Sequence, residues 1–190
     1  MTIRVRPGVF EDAAVIARIN VASWRAAYRG IVSDDFLARI SVGARERAWR
    51  ERILGDPTRP VFVAERDDTV IGYCALAAPS RDEDAAPGVA ELAAIYVDPD
   101  RWRSGAGTSL MRTGLDWLRS RGWRVATLWV FEANARARAF YEQFGFQSDG
   151  AMQQQIDAGI EALEIRLRLS LADAPAVPGP AGQGTDRSGS

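Results

Sequence analysis

Residues 101–110, RWRSGAGTSL, place Gly105 and Gly107 one residue apart, ahead of small hydroxyl residues and an apolar pattern of helical period. Glycine tolerates positive φ and lets a ligand touch the backbone, so a Gly-x-Gly turn opening a helix can aim several amide N–H groups at an anion. Phosphate is the obvious guest. Taken alone, the turn is compatible with a nucleotide enzyme, a coenzyme A enzyme or a plain structural turn. A Walker loop needs Gly-Lys-Ser/Thr and the dinucleotide fingerprint a third glycine at position 110. The chain has Leu110 there and no lysine anywhere.

The absence of lysine is matched by the absence of histidine, so all 24 basic side chains are arginine. A Ser-His-Asp triad, a Cys-His pair, a His metal site, a Schiff-base lysine and a P-loop lysine are therefore excluded, and no metal is expected. The acid–base groups that remain are carboxylates, four tyrosines, Cys74 and water. Cys74 is the single cysteine and falls in a hydrophobic strand, where a thiol without a histidine partner packs rather than reacts.

These groups need elements to hold them. "TIRVRPG" alternates and stops at Pro7-Gly8, and Val15, Ile16, Ile19, Ala22 and Ala26 then recur at helical spacing, predicting a strand followed by an amphipathic helix. "SDDFLARI" opens with Ser33 as an N-cap, and "GARERAWRERIL" continues as a charged helix lying on the surface. "PVFVAERDDTVIGYCALA" reads as two strands around a turn at Asp67-Asp68, and "PSRDEDAAPG" as an acidic loop. "VAELAAIYV" is a strand ending before Asp98-Pro99. A helix from Gly107 to about Arg121 follows, with Met111, Leu115 and Leu118 as its buried stripe. The glycine turn thus joins a strand to a helix. "WRVATLWVF" is a further strand, "NARARAFYEQFGF" a short helix and "LEIRLRLSL" the last strand. Strands grouped before an α–β alternation imply an α/β (α+β) domain, a mixed central sheet of about six to seven strands flanked by helices on both faces. One domain is expected over residues 1–171, and the Pro, Gly and Ser-rich residues 172–190 are expected to form a disordered tail.

Four segments taken together, "IYVDPDRWRSGAGTSLM", "GWRVATLWVFEANARARAFYEQFGF", the upstream hairpin and the N-terminal helix, resemble the Gcn5-related N-acetyltransferase (GNAT) family over about residues 2 to 170. The most specific pieces are the strand-x-Pro segment leading into the glycine turn, and Asn134 seven residues before Tyr141 with Gly145-Phe146 just after. The resemblance implies transfer of an acetyl group from acetyl-coenzyme A to an amine. Amides from Trp102, Arg103, Ser104, Gly105, Ala106, Gly107 and Thr108 would then cradle the pyrophosphate, and the backbone of Ile95, Tyr96 and Val97 would pair with the pantetheine amides. Asn134 and Tyr141, two helical turns apart, would share one side of the helix; by the resemblance Asn134 bonds the pantetheine arm and the Tyr141 hydroxyl protonates the departing thiolate. An N-cap and a core aromatic are the plainer reading of the same two residues. Where the family commonly carries Gln or Arg three residues before the first glycine, this chain has Trp102, so Arg101 or Arg103 would have to supply charge.

The attacking amine must lose a proton, and Glu91 is the best-placed carboxylate, expected to share a sheet face with Ala93 and Ile95; it either has a buried role or sits at the exposed start of its strand. Trp24, Tyr28, Arg29 and residues 81–84 would border the acceptor pocket, the alternative being a packed helix and a solvated loop. The implied acceptor is a small-molecule or peptide amine, met by direct attack in a ternary complex; a non-catalytic acyl-coenzyme A sensor is the alternative. A formal charge of −1 offers no excess of positive charge to a nucleic acid, and no apolar run approaches a membrane span. With no signal-peptide pattern, a cytoplasmic protein is expected, and a homodimer would be in keeping with the family.

Overall fold

The computed structural model describes residues 2–56, 58–157 and 160–171. Strand β1 (Arg4–Pro7) leads into helix α1 (Ala13–Ala27), which buries Ile16, Ala17, Ile19 and Val21 at helical spacing. The junction is pinned by Arg6, whose guanidinium donates to both Asp12 oxygens at 2.6 and 3.0 Å and to Glu65 at 2.7 Å. Helices α2 (Asp34–Arg39) and α3 (Val42–Gly55) start at Ser33 and Ser41, whose hydroxyls accept from the Phe36 and Ala44 amides. Strands β2 (Val61–Arg66) and β3 (Thr69–Ala77) form a hairpin closed by Asp67 and Asp68, both at the positive φ that a tight two-residue turn requires. Then come β4 (Val89–Val97), α4 (Ala106–Ser120), β5 (Val125–Phe131), α5 (Ala135–Glu142), β6 (Gln147–Asp157) and β7 (Ile160–Ser170).

The seven strands make one mixed sheet of order β1-β2-β3-β4-β5-β7-β6, in which only β4 and β5 run parallel. The helices cover both faces, as the strand grouping implied. Strand β6 is the element that periodicity did not reveal: "QSDGAMQQQID" carries almost no apolar alternation, because it is an edge strand held by β7 alone. The tail expected over 172–190 lies outside the described residues.

Helix α4 lays Leu110, Met111, Leu115 and Leu118 on one sheet face, against Phe62, Cys74, Leu76, Leu92, Leu128 and Val130. Each such side chain, fully withdrawn from water, contributes about 1.5–3 kcal/mol. On the other face α1 and α3 cover Val61, Val63, Tyr73 and Ala75, while the end of α1 and α2 cover Phe131 and Ala162.

Two irregularities in β4 create the site. First, β4 pairs with β5 only from Val89 to Glu91; from Leu92 to Val97 its β5 side is open, and the two strands splay apart. Second, the β3–β4 register jumps from Ala75 opposite Ala94 to Leu76 opposite Leu92, so Ala93 is an extra residue, a β-bulge. Side chains alternate along a strand, and one extra residue inverts the alternation. Ala90 and Leu92 accordingly lie on the α4 face together with Ile95 and Val97, whereas Ala94 and Tyr96 lie on the α1 face. Glu91 pairs with Ala77 and so points to the α1 face, opposite Ile95, which corrects the expectation that Glu91 and Ile95 share a face.

Candidate active site

A cavity of about 890 Å3 runs through the splay from the N-terminus of α4 to the underside of α1. At its first end the chain turns twice through the left-handed region, at Arg103 (φ 61°) and Gly105 (φ 89°), before α4 begins. Successive amides in such a turn converge on one point. The N–H groups of Arg103, Ser104, Gly105, Gly107 and Thr108 meet no protein acceptor among the described residues, while that of Ala106 donates to Ser104 Oγ at 3.4 Å. Left-handed geometry accounts for Gly105; at Gly107 a Cβ would stand 3.4 Å from the Phe140 ring.

Trp102, the departure from the family pattern, is built into this end. Its indole N–H donates to the Val97 carbonyl at 2.9 Å, and the Arg136 guanidinium lies over its ring, 3.4 Å from the centroid. Arg101, Arg103 and Arg136 all line the cavity, and none forms an ion pair among the described residues. Burial, with the nearby charge of Arg103, lowers the pKa of Arg136, so this end is short of negative charge.

From there the open edge of β4 leads inward past Val97, Tyr96 and Ile95, all lining the cavity. The Val97 carbonyl already accepts from Ser23 Oγ (3.1 Å) and Trp102, so the unpaired backbone on offer lies on the Leu92–Tyr96 side. Asn134 lines the cavity and caps α5, its Oδ1 accepting from Ala137 N at 3.1 Å; the plainer reading of this residue therefore holds for its oxygen, while its Nδ2 has no hydrogen-bond partner among the described residues. Tyr141 packs its ring on Phe140 and Phe146, and its hydroxyl has no hydrogen-bond partner among the described residues. Burial, reinforced by Tyr96 and Cys74, pushes its pKa well above the usual phenol, so the proton stays on.

Tyr28 and Tyr96 share a hydroxyl contact of 2.9 Å at the centre, and Tyr73 beside them accepts from Asn20 Nδ2 at 2.6 Å. Tyr28, Tyr96 and Tyr141 line the cavity, and Tyr73 packs behind Tyr96 at a ring distance of 5.7 Å. Cys74 is fully buried under α4, and desolvation pushes its thiol up to about 12, which keeps it neutral and unreactive.

At the far end Trp24 on α1 and Tyr28 just past its end form an edge-to-face aromatic wall with Phe131. Glu91 is buried, and Arg81 clamps it through its backbone N–H, Nε (2.9 Å) and Nη2. This contact places the loop beside the cavity, and Asp82 next to it accepts from Trp129 Nε1 at 2.8 Å. Arg29 does not line the cavity. It follows the end of α1 at Ala27, is exposed, and bridges to Val32 at the turn to Gly30 (φ 78°), away from the cavity.

Periodicity missed three cavity residues from strands β6 and β7: Gln153, Gln155 and Glu164. Glu164 opposes Phe131 on β5 and Gln153 on β6, a position set by long-range pairing with no local motif to announce it. Among the described residues no group of three or more Cys, Asp or Glu could hold a metal ion, and no helix is long and apolar enough to cross a membrane.

The architecture and the chain both have relatives. The acetyltransferase (GNAT) family profile matches residues 23–146. The uncharacterised N-acetyltransferase YuaI of Bacillus subtilis (strain 168) is 30% identical over 166 residues, 87% of this chain and 91% of its own. The mycothiol acetyltransferase of Acidimicrobium ferrooxidans is 30% identical over 144 residues, 76% of this chain but only 42% of the relative. Among solved structures, the PaiA N-acetyltransferase of Thermoplasma acidophilum in complex with coenzyme A superposes with a TM-score of 0.71 at 20% identity, covering 87% of this chain and 98% of that one. The YncA protein of Salmonella typhimurium, solved with its cofactor acetyl-coenzyme A, gives 0.67 at 24% identity over 95% and 99%. A matched profile across most of the chain, a relative aligned nearly end to end, and a splayed sheet with an amide cradle beside it lead to one conclusion: this chain belongs to the GNAT family of acetyltransferases.

Proposed function

We propose that the protein transfers an acetyl group from acetyl-coenzyme A to an amine by direct attack within a ternary complex, with Tyr141 as the general acid. The observation that carries this reading is the continuity of the cavity. One end is an arginine-lined amide cradle suited to a diphosphate, the middle is an open strand edge suited to amides, and a free phenol stands where the edge ends. The donor, when bound, supplies a thioester carbonyl and a thiolate leaving group.

The chain's own groups then divide the work. The Arg103–Thr108 amides and Arg101, Arg103 and Arg136 hold the phosphates, since converging N–H dipoles and unpaired guanidinium groups both favour dense negative charge. The β4 edge and Asn134 Nδ2 orient the arm. The Tyr141 hydroxyl, protonated through the neutral pH range, gives its proton to the leaving sulfur. On the α1 face the amine enters beside Trp24 and Tyr28. Arg81 occupies both oxygens of Glu91, so Glu91 does not meet the amine directly and the amine's proton leaves to water beside the Glu91 carboxylate.

Isothermal titration with acetyl-coenzyme A, followed by thiol release over a panel of amines, peptides and aminoglycosides, tests the reading. Binding and amine-dependent release of one thiol per acetyl group are expected. Absence of binding at millimolar cofactor would refute it.

A further inference from the structure

Among the described residues two carboxylates line the cavity, Glu91 and Glu164, and Glu164 stands apart both from Glu91 and from the acidic residues beside the cavity. Glu91 is clamped by Arg81, and Asp82 and Asp149 are paired with Arg166, at 3.4 and 2.8 Å. Glu164 has no cationic partner among the described residues, in a chain with 24 arginines. Amides hold it instead. Gln153 Nε2 donates to Oε2 at 2.8 Å, and Gln155, with its amide nitrogen turned toward the carboxylate as the surrounding donors and acceptors require, donates at 2.9 and 3.3 Å. Two neutral donors fix the position of the carboxylate and leave its charge uncompensated.

The surroundings state what would compensate it. Glu164 sits opposite Phe131, whose ring packs on Tyr28, and the Trp24–Tyr28 pair lines the same cavity. Aromatic faces and a lone carboxylate together suit an organic cation. Burial, with Glu91 nearby, raises the carboxyl pKa above its usual range, the response of a site that lacks a positive charge. Arg81 and Arg166 are already engaged with carboxylates, and Arg45 lies over the Trp24 ring, so a carboxylate placed directly beside an amine at Glu164 would meet the like charge of Glu164 first.

We propose that Glu164 receives the ammonium group of the acceptor, and that the acceptor is an alkyl- or arylalkylammonium with no carboxylate beside its amine. This rests on the acetyl-transfer reading, in which the α1 half of the cavity is the acceptor side. Glu164 is then the specificity-determining residue of the site, admitting amines by charge and excluding α-amino acids.

The test uses phenethylammonium as the probe, titrated into the full chain held at millimolar coenzyme A, with phenylalanine as its carboxylated counterpart and Trp fluorescence or calorimetry as the readout. The wild type is expected to bind phenethylammonium at least about tenfold more tightly than phenylalanine, a loss between that of an exposed ion pair and a desolvated one. Glu164→Gln should lower phenethylammonium affinity by about the same factor, Glu164→Asp should recover part of it, and coenzyme A affinity should be unchanged in both, which certifies the fold. Failure of the wild type to bind phenethylammonium, equal binding of phenylalanine, or indifference to Glu164→Gln would each overturn the proposal. Glu164-dependent binding without thiol release from acetyl-coenzyme A with any amine would refute the acetyl-transfer reading and leave the docking role standing. Thiol release indifferent to Glu164→Gln would do the reverse.

Discussion

Replacing Tyr141 with phenylalanine removes one oxygen from a position where the structure gives that oxygen nothing to hold. The hydroxyl makes no protein hydrogen bond among the described residues, and the ring keeps its edge contacts with Phe140 and Phe146 at centroid distances of 5.6 and 6.1 Å. The folding cost should therefore stay within about 0.5 kcal/mol. The catalytic cost should be larger. A positioned general acid is worth a hundredfold or more, but an alkylthiolate leaves readily and water can partly replace the phenol, so a fall of roughly ten- to a hundredfold in the transfer rate is expected. That range corresponds to about 1.4–2.7 kcal/mol of lost transition-state stabilisation. The assay is single-turnover transfer with acetyl-coenzyme A bound, so that product release cannot mask chemistry, alongside a melting curve and a cofactor titration. Tyr73→Phe is the matched control. Its hydroxyl accepts from buried Asn20 at 2.6 Å, and Asn20 Oδ1 has no partner already, so the loss leaves a buried amide wholly unsatisfied. About 1–3 kcal/mol of stability should go, with transfer nearly intact. Transfer by Tyr141→Phe at the parental rate, or a collapse of its melting temperature, would refute the assignment and make Tyr141 a packing residue.

Three other outcomes follow from the geometry. Gly105→Val forces a branched side chain into φ 89°, a strain of about 1–3 kcal/mol, and should weaken acetyl-coenzyme A binding at least about tenfold in calorimetry while the melting temperature drops only a few degrees. Trp102→Ala removes both the indole bond to Val97 and the platform under Arg136, and should weaken cofactor binding several-fold more than Trp102→Phe, which keeps a ring for the guanidinium. Burial would raise the Asp12 carboxyl, but Arg6 and the Val9 amide outweigh it and hold its pKa below the ordinary carboxylate range. The stability it contributes is then present above that range and lost as pH falls through the lowered value. The melting-temperature gap between wild type and Asp12→Asn should be widest near neutrality and close below about pH 4.

The parts of this molecule legible from sequence were those that local chemistry dictates. The strand–glycine–helix turn, the Ser33 cap, the hairpin at Asp67-Asp68 and the stripe of α4 each depend on residues within a few positions of one another, and each stands in the structure where local sequence put it. The half of the cavity under α1 depends on pairing over longer distances. Glu164 faces the cavity only because β7 lies between β5 and β6, and "LEIRLRLSL" reads as plain alternation until those neighbours are known. The bulge at Ala93 was equally silent, since "VAELAAIYV" offers apolar residues in both phases. Arg29, expected beside Trp24 and Tyr28, stands outside the cavity lining because α1 ends at Ala27 and the left-handed Gly30 redirects the chain.

The bulge makes β4 two half-strands in opposite phase, one ending at Leu92 and the other starting at Ala94. Ala93 thus acts as a punctuation mark rather than a side chain: it does little by its methyl group and much by being counted. Its deletion would leave nearly the same composition and nearly the same ladder, yet would turn one half of the strand over. Either Glu91 would swing away from Arg81 into the apolar packing beneath α4, or Tyr96 would leave Tyr28 and carry its hydroxyl into the same dry interior. The length of the strand is therefore fixed at this point, and in this segment the two ends of the cavity are kept apart by arithmetic.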